Sequence, residues 1–142
     1  MDEILKNAYV VGAERVSAWS DLLDAINVFP VADGDTGRNL AISLTPLRQV
    51  GGEREALTRK LLLAARGNSG NIASQFFSAF SAAQSLYDLA AAAQEGNVRA
   101  WKAIADPKPG TMLTVFDALE DVLWRENFSP DEAGVRRILD RP

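Results

Sequence analysis

The chain has no cysteine and no histidine in its 142 residues. Without cysteine there are no disulfides and no thiolate chemistry. Without histidine there is no Ser-His-Asp triad, no histidine-ligated zinc and no imidazole general base. Asp, Glu, Lys, Arg and Tyr are the ionisable groups left, an inventory that suits a metal held by carboxylates. Lys/Arg clusters are also missing, and the net charge of −4 argues against a nucleic-acid surface. No apolar run is long enough to span a bilayer. The opening Met1-Asp-Glu-Ile-Leu-Lys is acidic and amphipathic, unlike a secretory signal. A cytoplasmic protein is expected.

What is present is apolar material for one core: 47% of residues are hydrophobic, in a length that suits one domain. Apolar residues recur at helical spacing almost throughout. Ile4, Ala8, Val11, Trp19, Leu22, Leu23 and Ile26 predict a first long helix. Pro30 and Asp33-Gly-Asp35 end regular structure there. A second helix is expected from about Thr36, capped by Asp35 or Thr36, to about Gln49. Leu57, Leu61, Leu62 and Ala65 form the next stripe, and Ile72, Phe76, Phe80, Ala83 and Tyr87 another. Residues 88–105 are alanine-rich, with Gly96-Asn97 expected to divide two shorter helices. Leu113, Phe116, Leu119, Leu123 and Trp124 predict a further helix. Ser129-Pro-Asp-Glu132 reads as a capping box that opens a last helix through Leu139. No alternating β pattern is evident. The expected fold is all-α, an antiparallel barrel or bundle of about seven or eight amphipathic helices, in a single domain.

Three glycine-containing loops each open a helix. The first, Asn27-Val-Phe-Pro-Val-Ala-Asp-Gly-Asp-Thr-Gly-Arg-Asn39, places Asp33 and Asp35 around Gly34. Two crowded carboxylates repel unless a cation offsets them, and Mg²⁺ prefers few carboxylates, leaving positions for phosphate oxygens and water. The competing reading is a polar turn with a helix cap. A calcium-binding EF-hand is excluded, because its fifth and sixth positions would be Gly37 and Arg38. An aspartyl-phosphate site is disfavoured, because no buried strand precedes Asp33. The second loop, Gly67-Asn-Ser-Gly70, fits phosphate on backbone N–H groups with Ser69 adding a hydroxyl, or an ordinary turn with Ser69 as cap. The third, Pro109-Gly-Thr-Met-Leu-Thr114, fits a capped core helix, or a slot for a purine beside Met112 and Leu113. Arg38 and Arg66 fit phosphate charge or solvated helix positions; Phe76, Phe77 and Phe80 fit core. Alternate loops of an antiparallel bundle lie at one end, so the three together would compose a nucleotide–metal site there.

These blocks resemble the DAK2, or DhaL-like, domain family. Asn27 to Leu40 looks like the family signature, and Ala65-Arg-Gly-Asn-Ser-Gly-Asn-Ile-Ala-Ser-Gln75 and Pro107-Lys-Pro-Gly-Thr-Met-Leu-Thr-Val115 match two further blocks in order. The wording of the blocks is closer to the N-terminal, ATP-binding domain of bacterial fatty acid kinases than to the dihydroxyacetone (glycerone) kinase L subunit. The resemblance implies a helical barrel with ATP at one end and Mg²⁺ bridging its phosphates. It implies Asp33 and Asp35 as metal ligands, with Asn27 near a further ligand position. Asn39, Thr36, Gly37, Asn68, Ser69 and Gly70 would face the phosphates, and Thr111 and Met112 would border the adenine. It implies a kinase whose acyl acceptor is presented by a separate DegV-like fatty-acid-binding protein, or which works with additional kinase domains.

The chain departs from the pattern at Ala32, Arg38 and Asn71. The family's later glycine-containing block has no counterpart after Gly110, which leaves a truncated chain, a fragment of a fusion and a minimal paralogue as alternatives. Weak or absent turnover is expected of the isolated chain. The opposing reading is a non-catalytic helical module that binds a lipid or a partner protein.

Overall fold

The computed structural model describes residues 1–126, which contain seven α-helices, two short 3-10 turns and no β-strand. The helices are α1 (Glu3–Ala18), α2 (Ser20–Ala25), α3 (Thr36–Ser43), α4 (Arg54–Ala64), α5 (Gly67–Phe80), α6 (Leu89–Trp101) and α7 (Met112–Arg125). The all-α bundle is therefore as the apolar periodicity predicts. The expected final helix and its Ser129–Glu132 capping box lie outside the described residues. Among the described residues, no helix is long and apolar enough to cross a membrane.

Helix α5 is the central strut. It packs on α3, α4 and α6, and α6 in turn carries α7. Phe76 of α5 is fully buried and stacks on Phe116 of α7, with ring centroids 3.9 Å apart and planes 7° from parallel. Phe80 meets Tyr9 of α1 edge-on, and the Tyr9 hydroxyl donates to the Phe80 carbonyl at 2.8 Å. Burial pushes the Tyr9 phenol well above its usual pKa. Next to this aromatic stack, Asn97 holds α7 to α6 by donating to the Phe116 carbonyl at 3.1 Å and to Glu120 Oε2 at 2.6 Å.

Local chemistry explains where the helices depart from expectation. The first long helix divides at Trp19, whose backbone (φ −102°, ψ 9°) leaves the helical region. The break lies where Gly37 is backed against the Ser20 carbonyl. The second helix stops at Ser43, because Pro46 cannot donate a helical hydrogen bond. The chain continues as a 3-10 turn over Thr45–Gln49. Gly96, in contrast, does not divide α6. It is buried inside a continuous helix, and a Cβ there would lie 2.9 Å from the Phe76 ring. Its function is close approach of α6 to α5, not interruption.

Candidate functional site

The loops before α3, α5 and α7 meet at one end of the bundle. Two contacts show it. Asn39 of α3 lies against Gly67 at the start of α5, and the Phe29 ring lies 3.9 Å from where a Cβ of Gly110 would sit. Gly67 has φ +62°, a left-handed conformation that favours glycine, and a Cβ on it would come within 2.6 Å of Asn39 Nδ2. Conformation and space both demand glycine there.

The first loop is closed by its own side chains. Asn27 Nδ2 donates to the Val31 carbonyl at 3.0 Å, and the Thr36 hydroxyl donates to Asn27 Oδ1 at 3.0 Å. Two of the expected site residues thus bond to each other across the loop. Asp33 is exposed and Asp35 half-buried. Asp35 occupies the cap position of α3 without a side-chain cap bond. Neither carboxylate takes part in an ion pair or side-chain hydrogen bond among the described residues. Asp24 of α2 supplies what Asp35 does not. It accepts from the Arg38 N–H at 3.1 Å and from the Arg38 guanidinium at 3.4 Å. Arg38 therefore reaches Asp24. Among the described residues, no group of three or more acidic side chains gathers.

The second loop differs from the reading of Ser69 as a cap. Helix α5 starts three residues earlier, at Gly67, with Arg66 in the cap position and no side-chain cap bond. Ser69 is therefore in the first turn. The chain's first intrahelical bond here runs from the Gly70 N–H to the Arg66 carbonyl at 3.0 Å. The N–H groups of Gly67, Asn68 and Ser69 precede it, at the positive end of a helix dipole. Gly67 and Asn68 are exposed and Ser69 half-buried, while Gly70 is buried. Arg66 turns its guanidinium back onto the Leu63 and Ala65 carbonyls, at 3.2 and 2.8 Å, where it closes the end of α4.

The third loop is a capped start. The Thr111 hydroxyl accepts from the Leu113 N–H at 3.3 Å and donates to the Lys108 carbonyl at 2.8 Å. The Gly110 N–H donates to Thr114 Oγ1 at 2.8 Å. Leu113 is fully buried, so it belongs to the core and not to a purine slot. Met112 lines a cavity of about 390 Å³ with Phe77, Phe80, Phe116 and residues of α1 and α3. Its lining is almost wholly apolar: Leu5, Tyr9, Val16, Leu40 and Leu119 are typical. Phe77 and Phe80 thus face this space, while Phe76 is core.

Sequence reasoning missed this cavity, the capping role of Asp24, and Ser43, a buried hydroxyl between α3 and α5. The readable signal for Ser43 was a polar residue inside the apolar stripe of Leu40, Leu44 and Leu47.

An all-α bundle of seven helices without β-strands among the described residues is consistent with the DhaL-like fold class. The chain belongs to the DAK2 domain family, which matches residues 30–138. It is 40% identical over 121 residues to protein YloV of Bacillus subtilis, a match that covers 75% of this chain and 22% of that protein. An uncharacterized protein of Staphylococcus saprophyticus is similar at the same identity and coverage, 40%, 75% and 22%. An uncharacterized protein of Staphylococcus aureus is 34% identical over 145 residues, covering 91% of this chain and 26% of its own length. The chain therefore spans about a quarter of the curated relatives it matches.

Proposed function

We propose that this domain binds Mg²⁺–ATP at the loop end of the bundle and serves phosphoryl transfer. The observation that carries this reading is the uncapped first turn of α5, held against α3 by the Asn39–Gly67 contact, together with the unpaired Asp33 and Asp35 of the loop that opens α3. The donor set fits both components. Exposed N–H groups at a helix start suit phosphate oxygens, and two free carboxylates suit a Mg²⁺ that completes its shell with phosphate oxygens and water. The metal would neutralise phosphate charge. Asp33 and Asp35 would hold it, with Asn27 able to contribute only while its carbonyl oxygen also keeps the Thr36 bond. Gly67, Asn68 and Ser69 would orient the phosphates from α5, and Asn39, Thr36 and Gly37 would flank them from α3. Thr111 and Met112 would border the base, with Thr111 contributing shape, because its hydroxyl already caps α7.

Phosphoryl transfer relies mostly on positioning and electrostatic stabilisation. A carboxylate acceptor is already ionised and needs no general base, which suits a chain without histidine. The acceptor we favour is therefore a fatty acid carboxylate presented by a DegV-like carrier protein, ahead of a small dihydroxyacetone-like hydroxyl compound. Additional kinase domains are the other partners this reading allows.

Calorimetric titration with ATP, with and without Mg²⁺, tests the site. Wild-type chain should bind in a Mg²⁺-dependent manner. Asp35→Ala should lose that dependence and at least tenfold in affinity, about 1.4 kcal/mol, with its helical content intact. Retained affinity and metal dependence in Asp35→Ala would remove the metal assignment. ADP release, measured with and without a DegV-like carrier, then tests the acceptor.

A second reading is favoured by a different observation, the apolar cavity of about 390 Å³. It is large enough for an apolar ligand, so the domain would be a non-catalytic module that binds lipid or a partner protein. Absence of any nucleotide binding by the wild-type chain would favour it.

A further inference from the structure

Ser43 is fully buried, eight residues beyond Asp35 and at the last position of α3. Its hydroxyl is not left over in an apolar core. It donates to the Asn39 carbonyl at 2.6 Å, one turn back on its own helix, and accepts from the Arg66 N–H at 2.9 Å. Arg66 is the residue immediately before α5. Gly70, one turn into α5, is so close that a Cβ there would overlap Ser43 Oγ and lie 3.2 Å from Ser43 Cβ.

Helices α3 and α5 thus meet at two adjacent rungs, Asn39 on Gly67 and Ser43 on Gly70. On each rung a polar side chain of α3 occupies space that only a glycine of α5 leaves free. The Ser43 rung also sorts the N–H groups. It occupies the Arg66 N–H, which faces the buried Ser43 hydroxyl, and leaves Gly67, Asn68 and Ser69 without a side-chain cap. A buried hydroxyl without partners would be costly. Here both partners are backbone groups at the join between the helix that follows Asp33 and Asp35 and the turn of the second loop.

We propose that Ser43 is a positioning residue, setting the spacing between the carboxylates of the first loop and the N–H groups of the second. This rests on the nucleotide reading of the loop end and deepens it. It does not make Ser43 a ligand: its hydroxyl is already occupied. Small displacements of positioning groups cost large factors in phosphoryl chemistry, so the hydroxyl should matter more to the ligand than to the core.

The test compares Ser43→Ala, Gly70→Ala and the double variant by NMR and by Mg²⁺–ATP titration. In ligand-free Ser43→Ala, the amide resonances of Arg66 to Ser69 should shift together with those of Thr36 to Arg38. Mg²⁺–ATP affinity should fall about tenfold, the scale of one lost hydrogen bond. Gly70→Ala should lose more, because its methyl meets Ser43 Oγ. Adding Ser43→Ala to it should restore part of the loss, although each change is harmful by itself. A merely structural Ser43 would lower the melting temperature of Ser43→Ala while leaving affinity and the Gly67–Ser69 amides unchanged; that result overturns the proposal. If wild-type chain binds no nucleotide, the reading of the site fails. The ligand-free amide shifts still decide separately whether Ser43 couples the two turns, and their absence overturns that coupling.

Discussion

The two ends of α5 follow opposite rules. Its second half is core: Phe76 and Ala79 are fully buried, and Gly96 lets α6 close onto the Phe76 ring. Its first turn contains two glycines, has no side-chain cap and starts from a left-handed residue. Each helical glycine costs about 1 kcal/mol relative to alanine, and a missing cap costs a similar amount. A free helix with that start would fray. Here it does not, because α3 clamps the turn from the side and the aromatic half anchors the rest. The difference teaches that one helix can present bare N–H groups at one end because packing at the other end, about 20 Å away, supplies its stability.

That division can be broken from either side. The largest effect should come from Phe76→Ala, which removes the ring stacked on Phe116 and leaves a cavity. A loss of about 3–5 kcal/mol is expected in urea denaturation. Less than about 1 kcal/mol would mean that the second half of α5 is not the anchor. Gly67→Ala should be next. A left-handed alanine costs about 1–2 kcal/mol, and its methyl would press on Asn39. Melting temperature should fall modestly, while Mg²⁺–ATP affinity falls more than in any surface variant of α4. Ser69→Ala should be milder, weakening ATP by about 1 kcal/mol through one hydrogen bond with thermal stability unchanged. The reverse pattern would make Ser69 part of the scaffold.

The smallest effect contrasts this bare start with a capped one. Asp88 closes the turn before α6, accepting from the Ser85 hydroxyl and from the Ser85 and Gln84 N–H groups at 2.9–3.0 Å. Chiefly the Ser85 hydroxyl, then the two backbone bonds, holds its carboxyl below the ordinary value of 3.8. A lowered folded-state pKa stabilises the fold above the unfolded value, and that contribution is lost as pH falls through the folded one. The stability difference between wild type and Asp88→Ala should therefore be present at pH 7 and shrink as pH drops below about 4. A gap unchanged down to pH 2 would show that the carboxylate is not what closes the turn.

Much of this was legible in the sequence because helical periodicity and loop punctuation are local signals. Gly67-Asn-Ser-Gly70 announced a helix start, and the alternation of loops placed three of them at one end. What was not legible depended on contacts across the chain. Gly96 reads as a breaker by propensity, yet the neighbouring Phe76 ring makes it a packing residue. Ser69 reads as a cap, yet Gly67 tolerates a left-handed backbone and moves the helix start upstream. Asp24 caps α3 from another helix, so no local motif contains it. The candidate metal and nucleotide residues follow from motif resemblance; the structure supplies their neighbours.

The contact between Phe29 and Gly110 has a consequence for how the molecule is made. It joins loops near opposite ends of the described chain, whereas most helix pairs that build the core are close in sequence. Local contacts form early and distant ones wait for loop closure. During synthesis, α1 to α5 can begin to collapse as they leave the ribosome. The loop cluster cannot be completed until residues beyond Gly110 have emerged. The nascent chain therefore carries its acidic first loop without its third-loop neighbour from the emergence of Asp33 and Asp35 until that of Gly110.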